Sequence, residues 1–248
     1  MEKVQVIILA AGVGKRMKNP NLPKALVLLR GKPLIEHLVE KVKAAAVCEK
    51  IAVVIGRQVE MVKTVLGTDY IYAYQSEPLG TGHAVASARS QLEGKADNVM
   101  VLYGDMPFIS VKTIKEIAAT HLKEDKVLTM ATVVVDDFQD WRECFYSFGR
   151  VIRDPENKII GIVEKKDATA EVLAIREVNP AYFCFKADWL WSRLAEIKNN
   201  NSQGEYYLTD LVDAAFIEDQ PIANVKINPK EALGINTPEQ LELAEKLL

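Results

Sequence analysis

Cysteine is scarce in these 248 residues, and Cys48, Cys144 and Cys184 stand far apart, outside any C-x-x-C spacing. Neither a disulfide framework nor a zinc site is supported; three buried, reduced thiols in a reducing cytoplasm are expected. Histidine is equally rare. His37 and His121 belong to no constellation, His83 reads as packing, and no Ser-His-Asp or Cys-His arrangement is present for covalent catalysis. No charge sign dominates: 31 basic against 34 acidic side chains leave a net −3. A global positive field is therefore missing, and no nucleic-acid partner is expected. Long apolar runs are missing too. Val6 to Ala11 is too short for a signal-peptide core and nothing approaches a membrane span, so no membrane partner is expected. Repeats, linkers and low-complexity tracts are lacking, and Asn199 to Gly204 is loop chemistry.

What is present is the composition of a globule, with 49% hydrophobic and 26% charged residues, and the length predicts one α/β domain over residues 1–248. Val4 to Ala10 reads as a strand buried on both faces, being apolar, β-branched and stopped by glycines. Strands over Ile51 to Ile55, Tyr70 to Gln75, Val99 to Tyr103 and Val127 to Val135 alternate with helices over Pro33 to Ala46, Gln58 to Leu66, Thr81 to Leu92 and Val111 to Leu122. Such alternation implies βαβ units and a mostly parallel sheet with helices on both faces. The rhythm then changes. Gly149 to Arg153 and Lys158 to Lys165 flank the turn sequence Asp154-Pro155-Glu156-Asn157, which predicts a hairpin and added antiparallel strands. A strand over Val178 to Lys186, helices over Trp189 to Asn199 and Tyr207 to Ile217, a strand over Ile222 to Ile227 and a helix from Pro238 complete the reading. Ligands of an open sheet bind beyond the carboxyl ends of its strands, so the informative residues follow the strands.

Directly after the first strand comes Ala10-Ala11-Gly12-Val13-Gly14-Lys15-Arg16-Met17. Two glycines permit a tight turn and close backbone approach, and successive N–H groups beside two cations suit an anion such as phosphate. The P-loop spacing G-x-x-x-x-G-K-[ST] is absent. The dinucleotide fingerprint needs a third glycine where Met17 stands, and an acidic residue where the second strand ends in Gly56-Arg57-Gln58. A nicotinamide dehydrogenase is disfavoured.

Extended by Leu22-Pro23-Lys24, this segment resembles the signature of nucleoside-triphosphate sugar-1-phosphate transferases. Further blocks recur in order: Gln75 with Leu79-Gly80-Thr81-Gly82-His83-Ala84, Tyr103-Gly104-Asp105-x-Pro107, Gly161 to Ala168, and Asn199 to Asp210. Together they are similar to the N-acetylglucosamine-1-phosphate uridylyltransferase family, the pyrophosphorylase half of a bifunctional bacterial enzyme whose other half transfers acetyl groups. The resemblance spans about residues 4 to 240.

The resemblance implies a Rossmann-like nucleotide-diphospho-sugar transferase fold, in which a sugar 1-phosphate attacks the α-phosphorus of UTP with Mg²⁺ and expels pyrophosphate. The partners are UTP, the sugar 1-phosphate, the UDP-sugar and pyrophosphate. Arg16 and Lys24 become the catalytic cations, since two approaching phosphates repel and their charge must be offset as the transition state forms. Leu9, Ala11, Gly12, Gly14, Gln75, Gly80, Thr81, Tyr103 and Gly104 become nucleotide-binding, with Gln75 and Gly80 reading the pyrimidine. Because a Gln amide can flip, Gln75 alone does not separate uracil from cytosine. Thymine adds only a methyl, worth about 1–3 kcal/mol of rejection, so dTTP is the alternative triphosphate. Asp105 and Asn236 become the oxygen ligands of Mg²⁺. Gly149, Glu164, Asn179, Tyr207 and Thr209 surround the hexose, a suitable inventory for hydroxyl groups.

Several departures touch these expectations. Pro180-Ala181 follows Asn179 where the family has a small hydroxyl residue and glycine, which predicts loss of a close backbone approach to the sugar. Phe148 stands where tyrosine is common, and Asn19-Pro20 lengthens the phosphate loop. Residues matching the hexapeptide-repeat β-helix of the bifunctional enzyme are not among the 248, so acetyl transfer is not expected of them and oligomeric state is left unassigned. N-acetylglucosamine 1-phosphate is the first-choice acceptor. Another hexose 1-phosphate, or a non-catalytic nucleotide-sugar sensor, is the alternative.

Overall fold

Strand β1, Val4–Ala10, shows how the sequence builds the molecule. Val4, Val6, Ile8 and Ala10 point into one core cluster while Ile7 and Leu9 point into another, the period of two expected of a strand covered on both faces. A computed structural model describes residues 4–12, 14–17 and 22–247, apart from the side chain of Lys15. The Asn19-Pro20 departure lies outside them.

A small hairpin of β2 (Leu28–Leu29) and β3 (Lys32–Pro33) leads into α1, Leu34–Ala45, whose buried Leu34, Ile35, Leu38, Val39 and Val42 form one helical stripe. β4 (Ala52–Ile55), α2 (Val59–Leu66) and β5 (Ile71–Tyr74) follow. The expected helix from Thr81 to Leu92 is divided into α3 (Thr81–Ala86) and α4 (Arg89–Leu92). At the division Ser87 Oγ donates to the His83 carbonyl at 2.8 Å, a bond of the kind that bends helices. β6 (Asn98–Tyr103), α5 (Val111–Glu124) and β7 (Leu128–Val134) complete the first half. Ser110 caps α5, its hydroxyl accepting the Thr113 N–H.

β8 (Arg150–Arg153) and β9 (Ile159–Val163) pair antiparallel as the expected hairpin. After the short α6 (Ala170–Leu173), the single strand expected over Val178 to Lys186 is instead two: β10 (Glu177–Val178) and β11 (Phe183–Lys186). Pro180 offers no N–H between them and Ala181 turns through φ +62. α7 (Ala187–Leu194) ends before Asn199, and α8 (Asp210–Ile217) starts three residues later than the expected Tyr207. β12 (Ile222–Lys226) and α9 (Pro238–Leu247) close the chain.

The main sheet has the order β5-β4-β1-β6-β11-β7-β10-β8-β9, with β12 beside β7. β4, β5, β1 and β6 run parallel, as do β7 and β12, while β11 enters antiparallel between β6 and β7. Because β1 pairs with β4 on one side and β6 on the other, its carboxyl end is the point where strand order reverses. A crevice for ligands opens there. Cys184 is buried as expected, but Cys48 and Cys144 are only half-buried, and none is disulfide-bonded. Among the described residues no helix is long and apolar enough to cross a membrane.

Candidate functional site

The loops leaving β1 and β6 meet at this crevice. The Gly104 N–H donates to the Leu9 carbonyl at 2.9 Å, which carries Asp105 to the edge of the sheet beside the loop that follows β1. Gly14 adopts φ +65, and a Cβ there would lie 3.1 Å from the Lys24 Cβ, so the loop folds tightly against its own return. Lys24 opens a 3₁₀ turn, Lys24–Leu26. Its ammonium reaches both the Asp105 Oδ2 and the Asn236 Oδ1. Arg16 Nη2 donates to the same Asn236 oxygen at 2.8 Å. The Ile235 N–H bonds the Asp105 carbonyl at 2.9 Å and the Asn236 N–H bonds Gln240 Oε1 at 2.7 Å, so the segment before α9 is tied to the segment after β6. The side chains of Arg16 and Lys24 from the loop after β1, Asp105 from the end of β6 and Asn236 from the segment before α9 thus converge.

One carboxylate and one amide oxygen do not make a protein cage, and among the described residues no group of three or more His, Cys, Asp or Glu side chains could hold a metal. That donor set fits Mg²⁺, which retains waters and shares substrate phosphates rather than demanding an all-protein shell. The same oxygens are engaged by Lys24 and Arg16, so a divalent cation held there would compete with the Lys24 ammonium for the Asp105 carboxylate.

Leu9, Ala11, Gly12, Gln75, Gly80, Thr81 and Tyr103 line a cavity of about 260 Å³, together with Lys24 and Asp105. An adjoining cavity of about 460 Å³ shares Ala11, Gly12 and Gln75 and extends to Arg57 and Gln58. Gln75 is buried, and its Nε2 donates to the Gly80 carbonyl at 3.1 Å and faces His83 Nδ1 at 3.1 Å. His83 is therefore more than packing. Gly80 has φ +110, and a Cβ there would come within 2.5 Å of the Tyr206 carbonyl. Only glycine allows that approach. Thr81 lines the cavity but its hydroxyl oxygen accepts the Leu208 N–H at 3.0 Å. Burial raises the Tyr103 phenol well above its ordinary pKa, opposed by its hydrogen bond with Thr81.

Segment 205–209 joins the loop around Gly80 to the expected sugar residues. Tyr206 N–H donates to the Leu79 carbonyl and Gly82 N–H to the Tyr206 carbonyl, each at 2.8 Å. The second bond occupies the Tyr206 carbonyl, the first acceptor a helix from Tyr207 would use, and the Asp210 N–H bonds the Tyr207 carbonyl at 3.3 Å instead, so α8 begins at Asp210. Thr209 Oγ1 donates to Glu164 Oε1 at 3.1 Å, and the Asn179 N–H to the Gly149 carbonyl at 2.9 Å. A Cβ on Gly149 would lie 3.3 Å from Glu164 Oε1. The Tyr207 hydroxyl accepts from Gln203 Nε2 at 2.6 Å, and Lys166 holds Gln203 in turn. Ala181, at φ +62, keeps the left-handed backbone that glycine would favour, so the turn after Asn179 survives the missing glycine. Burial pushes up the Glu164 carboxyl despite the Thr209 hydroxyl, and burial with Asp213, Glu164 and Asp167 nearby pushes Asp210 up to about 6. Glu205, to which the sequence assigned no role, lines the cavity. Its place beside Tyr206 in a resemblance block was the available signal.

Comparison with known proteins agrees with the motifs. The bifunctional protein GlmU of Brevibacillus brevis is 38% identical over 246 residues, 99% of this chain and 51% of that protein. That of Thermoanaerobacter pseudethanolicus is 41% identical over 248 residues, 100% of this chain and 52% of that protein. The chain spans about half the length of the curated relatives it matches. A solved UDP-glucose pyrophosphorylase complexed with UDP-glucose shares the fold at a TM-score of 0.79 and 19% identity, covering 100% of this chain and 98% of its own. A family model for the MobA-like NTP transferase domain matches residues 6–206. With the crevice, its paired cations and its glycine-lined cavity in place, the chain belongs to the MobA-like NTP transferase domain family.

Proposed function

We propose that this chain transfers a uridylyl group from UTP to a hexose 1-phosphate, with N-acetylglucosamine 1-phosphate the first-choice acceptor, and releases pyrophosphate. A phosphate oxygen of the sugar phosphate forms a bond to the α-phosphorus as the bond to the β-phosphate's bridging oxygen breaks, and the electron pair leaves with pyrophosphate. Covalent enzyme chemistry is unnecessary; charge must be offset and the two anions held in line. The observation that carries the reading is the meeting of Lys24 and Arg16 with Asp105 and Asn236 at the rim of the cavity.

Charge is divided across the cleft in a way that supports this orientation. Cations stand where the phosphates would lie, whereas Glu164, Asp167 and Asp210 cluster around the segment proposed to hold sugar hydroxyls. A sugar phosphate entering with its phosphate toward the carboxylates is repelled, and the reverse orientation is attracted. Lys24 and Arg16 grip the triphosphate, Gly12 and Gly14 allow its backbone approach, and Glu164, Thr209, Asn179, Tyr207 and Gly149 receive the hexose. Asp105 and Asn236 would hold Mg²⁺, which supplies neutralisation of phosphate charge when bound. The same 248 residues are proposed to act as a nucleotidyltransferase unit without acetyl transfer.

A matrix of UTP, dTTP, CTP, ATP and GTP against several hexose 1-phosphates, read by pyrophosphate release, tests the proposal. Fastest turnover with UTP and N-acetylglucosamine 1-phosphate is expected. Binding without turnover in Mg²⁺ would instead favour a nucleotide-sugar sensor.

A further inference from the structure

We infer that His83 is a positioning residue which, with the Gly80 carbonyl, locks the Gln75 amide in one orientation and so makes the cavity select the imide edge of uracil over cytosine. The inference rests on the nucleotidyl-transfer reading and adds the origin of its base preference. A carbonyl oxygen only accepts, so the Gln75 atom 3.1 Å from the Gly80 oxygen is the NH₂ nitrogen. The same nitrogen lies 3.1 Å from His83 Nδ1, which accepts its second hydrogen when the ring carries its proton on Nε2. Both amide hydrogens are then spent on the protein. Gln75 Oε1 has no hydrogen-bond partner among the described residues, and neither does the Gly80 N–H. Both residues line the cavity.

An acceptor beside a donor complements a ring N3–H beside a ring carbonyl, which uracil and thymine present. Cytosine held in the same register aims the N3 lone pair at Gln75 Oε1, acceptor against acceptor. A free glutamine would relieve this by flipping. Here the flip would set Oε1 against both the Gly80 oxygen and His83 Nδ1, so burial and two acceptors oppose it.

The test compares kcat/KM and dissociation constants for UTP and CTP in the full chain, in wild type, His83→Phe and His83→Gln. His83→Phe keeps a ring but removes the acceptor, and the UTP-over-CTP preference should fall about three- to ten-fold, the equivalent of one net hydrogen bond. His83→Gln can again present an acceptor and should restore most of the preference. An unchanged UTP-to-CTP ratio in His83→Phe, including equal losses for both, overturns the inference. Long-range ¹H–¹⁵N spectra of the wild type provide a reading independent of any variant's folding: an unprotonated His83 Nδ1 is expected, and a neutral ring protonated at Nδ1 refutes the lock. Wild-type protein that turns over no triphosphate with any sugar phosphate would instead sink the proposed function, which separates the two failures.

Discussion

Replacing Lys24 by alanine probes the centre of the proposed chemistry. The Lys24 side chain is 15% exposed and that of Asp105 19%, so the ammonium works in a partly desolvated corner rather than in bulk water. Two unit charges about 4 Å apart at an effective dielectric near 20 interact by about 4 kcal/mol. A transition-state phosphate deprived of that partner should lose roughly 10²- to 10³-fold in turnover, or about 2.7–4 kcal/mol. Loss of the ion pair with Asp105 should cost the folded state far less, about 1 kcal/mol, because both groups keep some water. The assay is kcat for pyrophosphate release at saturating UTP and sugar phosphate, with thermal unfolding measured on the same samples. Lys24→Arg should recover little, since a planar fork cannot replace a point charge reaching two oxygens at once. Turnover of Lys24→Ala within about five-fold of wild type would refute the assignment.

Other expectations follow from neighbouring geometry. Asp105→Ala should abolish Mg²⁺-dependent turnover with the far-ultraviolet dichroism unchanged; an unaltered metal titration would remove Asp105 from the metal's ligands. Ala181→Gly should raise stability by about 1 kcal/mol, because Ala181 holds φ +62 at a cost that glycine avoids; a lower melting temperature would count against that strain. Asp210 is raised to about 6, first by burial, so the folded state binds its proton where the unfolded chain has already lost it. Stability therefore falls as pH rises from near 4 through 6, and Asp210→Asn should stabilise by about 1 kcal/mol at pH 8 and by nothing at pH 4, after allowance for solvent and for the helix N-terminus. Denaturant titrations at the two pH values decide it.

Strand β1, helix α1, helix α5 and the β8–β9 hairpin were all legible because their signals are local. An unbroken β-branched run, alternation of strands with helices and a turn sequence each act over short stretches of chain, and the elements form where expected. Residue types suited to phosphate and sugar chemistry were legible as well, through motifs that follow strands. What local signals could not convey were competitions between the backbone and distant groups. The strand expected over Val178 to Lys186 divides at Pro180 and Ala181, a local signal, but that β10 then pairs with β7 and β8 and β11 with β6 and β7 is set by distant strands. α8 starts late because the distant Gly82 N–H takes the Tyr206 carbonyl, and the Asp210 N–H turns to the Tyr207 carbonyl instead.

By itself, the sequence determined the alternation of elements, the α/β class and the identities of the cations, glycines and carboxylates at the strand ends. Only tertiary structure decided that Arg16 and Lys24 share an oxygen of Asn236 across 220 and 212 residues of chain, and that a histidine read as packing meets the Gln75 amide. The reason is physical. Hydrophobic periodicity is written every two or four residues, whereas the orientation of an amide or the partner of an ammonium depends on which polar atoms the completed sheet brings within about 3 Å.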